Sequence, residues 1–260
     1  MMMLGAVAGD IIGSIYESPW RDIKTKDFPL FQPQSHFTDD TVLTVAIADA
    51  LLNQKPYTET LKEYYHLYPQ AGYGGNFRHW AASRNREPYY SFGNGAAMRV
   101  SAVAYAFSDI EAVKTEALNS AAVTHNHPEG IKGAQATATA IFLARSRYTQ
   151  EQIRDNIQQE FDYKLDTTVA ALQKNYSFDV SCQGSVPEAI ICFLESTSFE
   201  DAIRNAISIG GDSDTIACIA GSIAEAFYQE IPQEILEQVD QRLDDRLKNI
   251  IKQFQSHFNC

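Results

Sequence analysis

Positive charge is scarce in this sequence: 21 Lys and Arg face 33 Asp and Glu, a net charge of −12 at pH 7. That shortage argues against a broad grip on phosphate backbones, which needs a basic face. A small anionic ligand stays possible, because helix N-termini and loop amides bind phosphate without lysine. Cysteine is sparse as well. Cys182, Cys192, Cys218 and Cys260 form no Cys-x-x-Cys pair, so neither a zinc knuckle nor a redox dithiol is indicated. Long apolar runs are missing, and the first short one is broken by Asp10 and Glu17, so no signal peptide or membrane span is visible. The expectation is a reduced, soluble, cytoplasmic protein. Strand signals are almost absent, residues 178–182 being the one plausible short strand. No low-complexity linker interrupts the chain, which points to one domain over residues 1–260.

What is present is alanine-rich helical spacing. Residues 42–52, 95–107, 110–122, 131–144, 186–194, 202–209 and 216–227 read as helices. Residues 231–258 read as an amphipathic surface helix that a break can divide in two. The expected fold class is all-α, and 45% hydrophobic residues suffice for a sizeable core. Long loops are expected at 18–37 and 66–94, where Pro, Gly and aromatics collect.

Gly5, Gly9 and Gly13 recur every four residues, and Glu17 continues the register. That spacing lies on one helix face, giving a smooth groove that ends in a carboxylate. Each helical glycine costs about 1 kcal/mol relative to alanine, so something approaches closely in return. Tight helix packing accounts for the glycines. Glu17 needs a partner too, and a cation is one candidate.

Acidic residues crowd at two helix starts. Thr38-Asp39-Asp40-Thr41 leads into residues 42–52, and Gly210-Gly211-Asp212-Ser213-Asp214-Thr215 leads into residues 216–228. Either cluster alone reads as a cap, since Asp, Ser and Thr cap helices and acids complement the helix dipole. Together they exceed what capping needs, and adjacent carboxylates repel. A divalent ion relieves that repulsion, with carboxylate, hydroxyl and water oxygens suited to magnesium, calcium or manganese. An EF-hand loop fails, because Ile216 and Ala217 follow where acidic or amide residues and glycine belong. An Asp-x-Asp phosphatase signature follows an apolar strand, whereas this pair follows Gly210-Gly211 in a helical context.

Other motifs stay open on their residues alone. The loops Gly72-Tyr73-Gly74-Gly75 and Ser91-Phe92-Gly93-Asn94-Gly95 can offer backbone N–H groups to a diphosphate, or can be ordinary turns. His125 and His127 suggest a transition metal, but no third soft ligand lies nearby, and His125 alone reads as a helix-entry or packing histidine. Arg99 can be a structural ion-pair partner instead of a substrate residue, and it is left out of the site.

Four motifs in order carry a resemblance: Gly9-Asp10 through Gly13-Ser14-Ile15-Tyr16-Glu17, Thr38-Asp39-Asp40-Thr41, Gly93-Asn94-Gly95-Ala96-Ala97-Met98-Arg99, and Gly211-Asp212-Ser213-Asp214-Thr215-Ile216-Ala217. The chain resembles the ADP-ribosylglycohydrolase family, which includes dinitrogenase-reductase-activating glycohydrolases and ADP-ribosyl-acceptor hydrolases. The resemblance implies a compact all-α orthogonal bundle with two magnesium or manganese ions in a cleft. It implies Thr38, Asp39, Asp40, Asp212, Asp214 and Thr215 as metal ligands, with Glu17, Asp39 and Asp214 carrying the catalysis. It further implies that Gly72, Tyr73, Gly74, Ser91, Gly93, Asn94 and Gly95 contact the diphosphate, that Phe92 stacks on adenine, and that His125 touches the ligand. The implied reaction is hydrolysis of the bond between ADP-ribose and an acceptor, arginine first. The partners are an ADP-ribosylated protein or small-molecule adduct, with a nucleic-acid adduct open and no membrane. Two rival readings are a catalytically silent ADP-ribose-binding or crystallin-like relative, and a metal-dependent nucleotide phosphohydrolase.

Overall fold

Small residues decide the architecture, because they let two helices meet backbone to backbone. The structure, a computed structural model, describes residues 2–17 and 22–258. Cys260 and the 18–21 part of the first expected loop lie outside the described residues.

The chain starts with α1 (Leu4–Gly13) and α2 (Asp39–Asn53), the latter capped by Thr38. Next come α3 (Tyr57–Leu67) and α4 (Gly75–Ala82), then two single turns, α5 (Gly95–Met98) and α6 (Val103–Ala106). α7 (Ile110–Ala122) is capped by Asp109, and α8 (Pro128–Arg145) begins at a proline, whose fixed φ suits the first helical position. α9 (Gln150–Phe161) carries a full capping box of Thr149 and Gln152. Then follow α10 (Val169–Asn175), α11 (Cys182–Leu194), α12 (Phe199–Ser208) and α13 (Ser213–Tyr228). α14 (Gln233–Arg242) and α15 (Asp245–Phe258) close the chain as the two halves of the expected amphipathic stretch. The protein is all-α, as its sequence indicates.

α13 is the axis of the core: every residue from Ser213 to Ala226 is buried. α1 lies antiparallel against it. A Cβ on Gly5 would sit 2.3 Å from Gly221 O, one on Gly9 2.0 Å from Ala217 O, and one on Gly13 2.5 Å from the Asp214 Cα. At the far end of the pair, Glu225 accepts a 2.9 Å hydrogen bond from Gly5 N. Its burial among apolar neighbours raises that carboxyl to about 7. α8 and α11 pack against α13 as well, and α15 covers α2 with Leu247, Ile251 and Phe254.

Three expectations need correction. Residues 95–107 do not form one helix. Met98 O, which an unbroken helix would give to the residue-102 amide, is instead met by Thr44 Oγ1 at 3.3 Å, and the chain breaks into α5 and α6. Residues 178–182 form no strand among the described residues, only an isolated bridge between Gly93 and Ser181. Ser181 then caps α11 by accepting from Gly184 N at 3.1 Å, which ends any extended run. The 66–94 loop also contains α4, whose inner face carries Phe77 and Trp80. α3, α9 and α10 have no counterpart among the expected helices. α9 buries only Ile153, Ile157 and Phe161 among polar residues, too thin a stripe to dominate its composition.

Candidate functional site

The antiparallel seating of α1 on α13 brings the two acidic helix starts together. Gly13 lies against Asp214, so the turn beyond α1 delivers Glu17 to the N-terminus of α13. Glu17 N still bonds back to Gly13 O at 3.2 Å, which continues the four-residue register past the helix end. Two glycines with positive φ, Gly210 at 72° and Gly211 at 79°, turn the chain from α12 into α13. A side chain at Gly211 would be strained there and would meet the Tyr176 ring at 2.5 Å.

α2 is anchored from α1 by Asp10, a fully buried carboxylate. Asp10 accepts from Thr38 N at 2.9 Å, Thr38 Oγ1 at 2.7 Å, Thr41 N at 3.0 Å and Thr41 Oγ1. Both of its oxygens are thereby occupied, so Asp10 orients the Thr38–Thr41 turn. Thr41 spends its hydroxyl on that bond. Asp10, a break in an apolar run and part of the Gly9–Glu17 motif, was not among the expected site residues; a lone acid inside such a run was the available signal.

The two starts touch through Thr215, whose hydroxyl donates to Asp40 Oδ2 at 3.3 Å. The other oxygen, Asp40 Oδ1, is buried with no hydrogen-bond partner. Asp212 is held by the Asn94 side-chain amide, whose Nδ2 donates to Oδ2 at 2.7 Å. Ligand atoms of Asp10, Asp40 and Asp214 lie within 4.8 Å of one another, as do those of Glu17, Asp212 and Asp214. Asp214 belongs to both groups.

This crowding has an electrostatic signature. Burial and the neighbouring Asp10 push the Asp40 carboxyl well above its ordinary range, and burial with Asp212 does the same to Asp214. Asp39 is raised well by burial and then by Asp10. Asp212 is raised by burial, and Glu17 by burial and Asp212. Charged groups in low dielectric with like-charged neighbours resist ionisation. Hard divalent cations suit such a set: an unpartnered buried carboxylate oxygen, several more carboxylates and two threonine hydroxyls. Three or more acids around one shared residue is chemistry in search of positive charge.

The cluster forms the floor of a cavity of about 420 Å³, large enough for a nucleotide-sized ligand. Glu17, Thr38, Asp39, Asp40, Asp212, Asp214 and Thr215 all line it. Gly72 and Gly74 form one wall, with Gly72 beside Asp39. Ser91, Gly93, Asn94, Gly95 and His125 form another. Two expected residues are not on the lining. Tyr73 is buried in a run of rings, with centroids 5.2 Å from Tyr65 and 5.3 Å from Phe77. Phe92 is 49% exposed and packs edge-on against His127, 5.4 Å between centroids.

The lining also includes residues outside the expected site set, among them His36, Gln70, Asn76, Tyr89 and Arg99. Arg99 is fully buried, and burial pulls its guanidinium down to about 10. It makes no ion pair among the described residues, contrary to the structural pairing its sequence context suggested. His125 is buried beside it, and burial with the Arg99 charge lowers its pKa well below the ordinary value.

The chain is similar to known proteins. The profile of the ADP-ribosylglycohydrolase family matches residues 1–259. ADP-ribosylhydrolase ARH3 of Mus musculus is 27% identical, with 88% of this chain and 84% of that protein covered. ADP-ribosylhydrolase ARH3 of Homo sapiens is also 27% identical, over 87% of this chain and 84% of its own. ADP-ribosylarginine hydrolase Tri1 of Pseudomonas putida is 24% identical over 87% of this chain and 69% of its own. Among solved structures, a chain of an "ADP-ribosylglycohydrolase-related protein complex" superposes with a TM-score of 0.73 at 20% identity, covering 99% of this chain and 95% of that one. At that identity the likeness shows the fold.

Proposed function

The chain belongs to the ADP-ribosylglycohydrolase family, and from that footing we propose that it hydrolyses the glycosidic bond between ADP-ribose and an acceptor, with arginine-linked ADP-ribose as the first substrate. One observation carries the proposal: two acid groups share Asp214 on the floor of a nucleotide-sized cavity, one of them including Glu17. Tri1, one of the relatives, is named for ADP-ribosylarginine.

Thr38, Asp39, Asp40, Asp212, Asp214 and Thr215 would hold two magnesium or manganese ions, with Asp10 fixing the Thr38 turn behind them. Such ions, when bound, neutralise the carboxylates and polarise sugar or water oxygens. The protein's own part is to position and to move a proton. The small-residue loops at 72–75 and 91–95 leave room for the diphosphate and offer backbone donors to it. Glu17, with its pKa raised by burial and by Asp212, exchanges a proton at a carboxylate oxygen as water adds to the ribose carbon and the acceptor departs. The Phe92 ring at the rim is offered to adenine.

The reading is tested by incubating purified protein with arginine-, serine- and nucleic-acid-linked ADP-ribose, with magnesium or manganese present. Release of ADP-ribose from the arginine adduct is the expected result. Phosphate release with the adduct intact, or tight ADP-ribose binding without turnover of any adduct, would overturn it.

Glu17→Gln is expected to bind ADP-ribose with near-normal affinity while turnover falls about 10²- to 10⁴-fold, the usual range for a lost general acid or base. Calorimetry beside a turnover assay checks this. Unchanged turnover would remove Glu17 from the proton transfer.

Metal removal has a signed pH dependence. The raised carboxyls make the metal-free folded protein bind more protons than its unfolded chain. Their contribution to stability is therefore fullest below the ordinary carboxylate range and falls as pH rises through the folded-state values. A divalent ion needs those carboxylates deprotonated. Magnesium or manganese at about 100 times its dissociation constant should add about 2.7 kcal/mol, a rise in melting temperature of roughly 5–10 °C. The rise should be larger at pH 8 than at pH 5, read by calorimetry against chelator-treated protein. An equal rise at both pH values counts against the acid cluster as the ion's seat.

A further inference from the structure

We propose that Arg99 is a positioning residue: through the Thr124 hydroxyl it fixes His125 in the tautomer that carries its proton on Nε2, so the cavity presents an N–H donor beside Gly93 and Gly95. The argument follows the hydrogen bonds outward from the core. Arg99 Nη2 donates to Ser120 O at 2.9 Å and to Thr124 Oγ1 at 2.9 Å. A guanidinium has donors only, so the direction of the second bond is set and Thr124 Oγ1 must accept. The same oxygen lies 2.7 Å from His125 Nδ1. Thr124 is fully buried, and its one hydroxyl proton has no other acceptor among the described residues. That proton therefore goes to Nδ1, which must be the unprotonated nitrogen.

The opposite tautomer would leave the Thr124 proton buried and unpaired, a penalty that favours the first form by about tenfold or more. A neighbouring buried cation also keeps the ring neutral, consistent with the lowered pKa of His125. The proton then sits on Nε2. That atom is 3.3 Å from where a Cβ on Gly95 would stand and 3.6 Å from one on Gly93, so side chains there would crowd the donor. No protein acceptor meets Arg99 Nε or Nη1, and no carboxylate pairs with the guanidinium among the described residues. Its positive field is therefore not cancelled by a neighbouring acid and reinforces the donor's preference for an anionic oxygen. What that oxygen belongs to, a phosphate of ADP-ribose, rests on the function proposed above. The tautomer does not.

The test uses the full chain labelled with ¹⁵N-histidine, read by long-range ¹H–¹⁵N correlation, with His125 identified by its loss in His125→Gln. The wild type should show the Nε2–H form, and Thr124→Ser, which retains the hydroxyl, should keep it. Thr124→Val should lose the single tautomer and bind ADP-ribose about tenfold more weakly by calorimetry. Arg99→Met should do likewise and Arg99→Lys should restore the Nε2–H form, because lysine again donates. An Nδ1–H form in the wild type, or an unchanged Nε2–H form in Thr124→Val, overturns the relay. If Thr124→Val or Arg99→Met fails to fold, the wild-type and Thr124→Ser spectra still decide. Nε2–H in a wild-type protein that does not bind ADP-ribose supports the relay and overturns the proposed function instead.

Discussion

Asp214→Asn is expected to reduce turnover at least about 10³-fold while raising the melting temperature of the metal-free protein. Asp214 contributes to both acid groups, so its loss strips a charged oxygen from each at once. Ion-mediated polarisation is worth several kcal/mol of barrier, and each 1.36 kcal/mol is a factor of ten. Stability moves the other way. The carboxyl is buried and held against Asp212 and Asp40, which pushes it well above its ordinary range. An amide of the same shape carries no such penalty, and relief of that kind typically adds about 0.5–2 kcal/mol. At roughly 2–4 °C per kcal/mol for a chain of this size, the gain is a few degrees. Turnover on the arginine adduct and a melting curve in chelator check both halves. Retained activity would dismiss the ligand assignment, and a lower metal-free melting temperature would dismiss the crowding argument.

The other large effect lies outside the acid cluster. Gly9→Ala places a methyl group 2.0 Å from Ala217 O and 2.3 Å from Ala217 C, both backbone atoms that cannot swing aside. Alanine's helix propensity returns only about 1 kcal/mol. Overpacking commonly costs about 1–3 kcal/mol and occasionally more, and an overlap this deep against backbone belongs at the upper end. The expected net loss is about 2 kcal/mol, a fall of roughly 4–8 °C in melting temperature. Activity should fall as well, because α1 supplies Asp10 to one helix start and leads Glu17 to the other. Gly75→Ala is the stability control: no atom lies within 4 Å of its Cβ position, and its melting temperature should stay within about 2 °C. A Gly9→Ala protein as stable as the wild type would mean that α1 and α13 are not seated backbone to backbone.

Much of this fold can be read from composition, because helices that pack as small-residue, apolar stripes announce themselves. α7 falls at residues 110–122, where its spacing places it, and α2, α8, α11 and α13 contain the cores of their expected helices. What spacing cannot register is a competing tertiary bond. Residues 95–107 look continuous until Thr44 takes the Met98 carbonyl. Polar α9 shows no helical stripe in its composition, and only its three apolar residues reach the core.

The candidate site divides the same way. Each acid at the starts of α2 and α13, and the glycine register ending in Glu17, is visible in sequence because crowded carboxylates and spaced helical glycines are costly and need a reason. Their meeting is not visible. It depends on α1 lying antiparallel to α13, a relation between segments some 200 residues apart that only close backbone contact enforces. The same holds for Asp10, an ordinary interruption in the sequence that becomes the acceptor of four hydrogen bonds once α2 is docked on α1. It holds for Arg99 and His125, whose protonation follows from which lone pairs their buried neighbours leave free. The sequence by itself determined which residues carry unusual chemistry and that they sit at helix starts. The tertiary structure alone decided which of them share one space, because burial and like-charge proximity are properties of the packed helices and of no single segment.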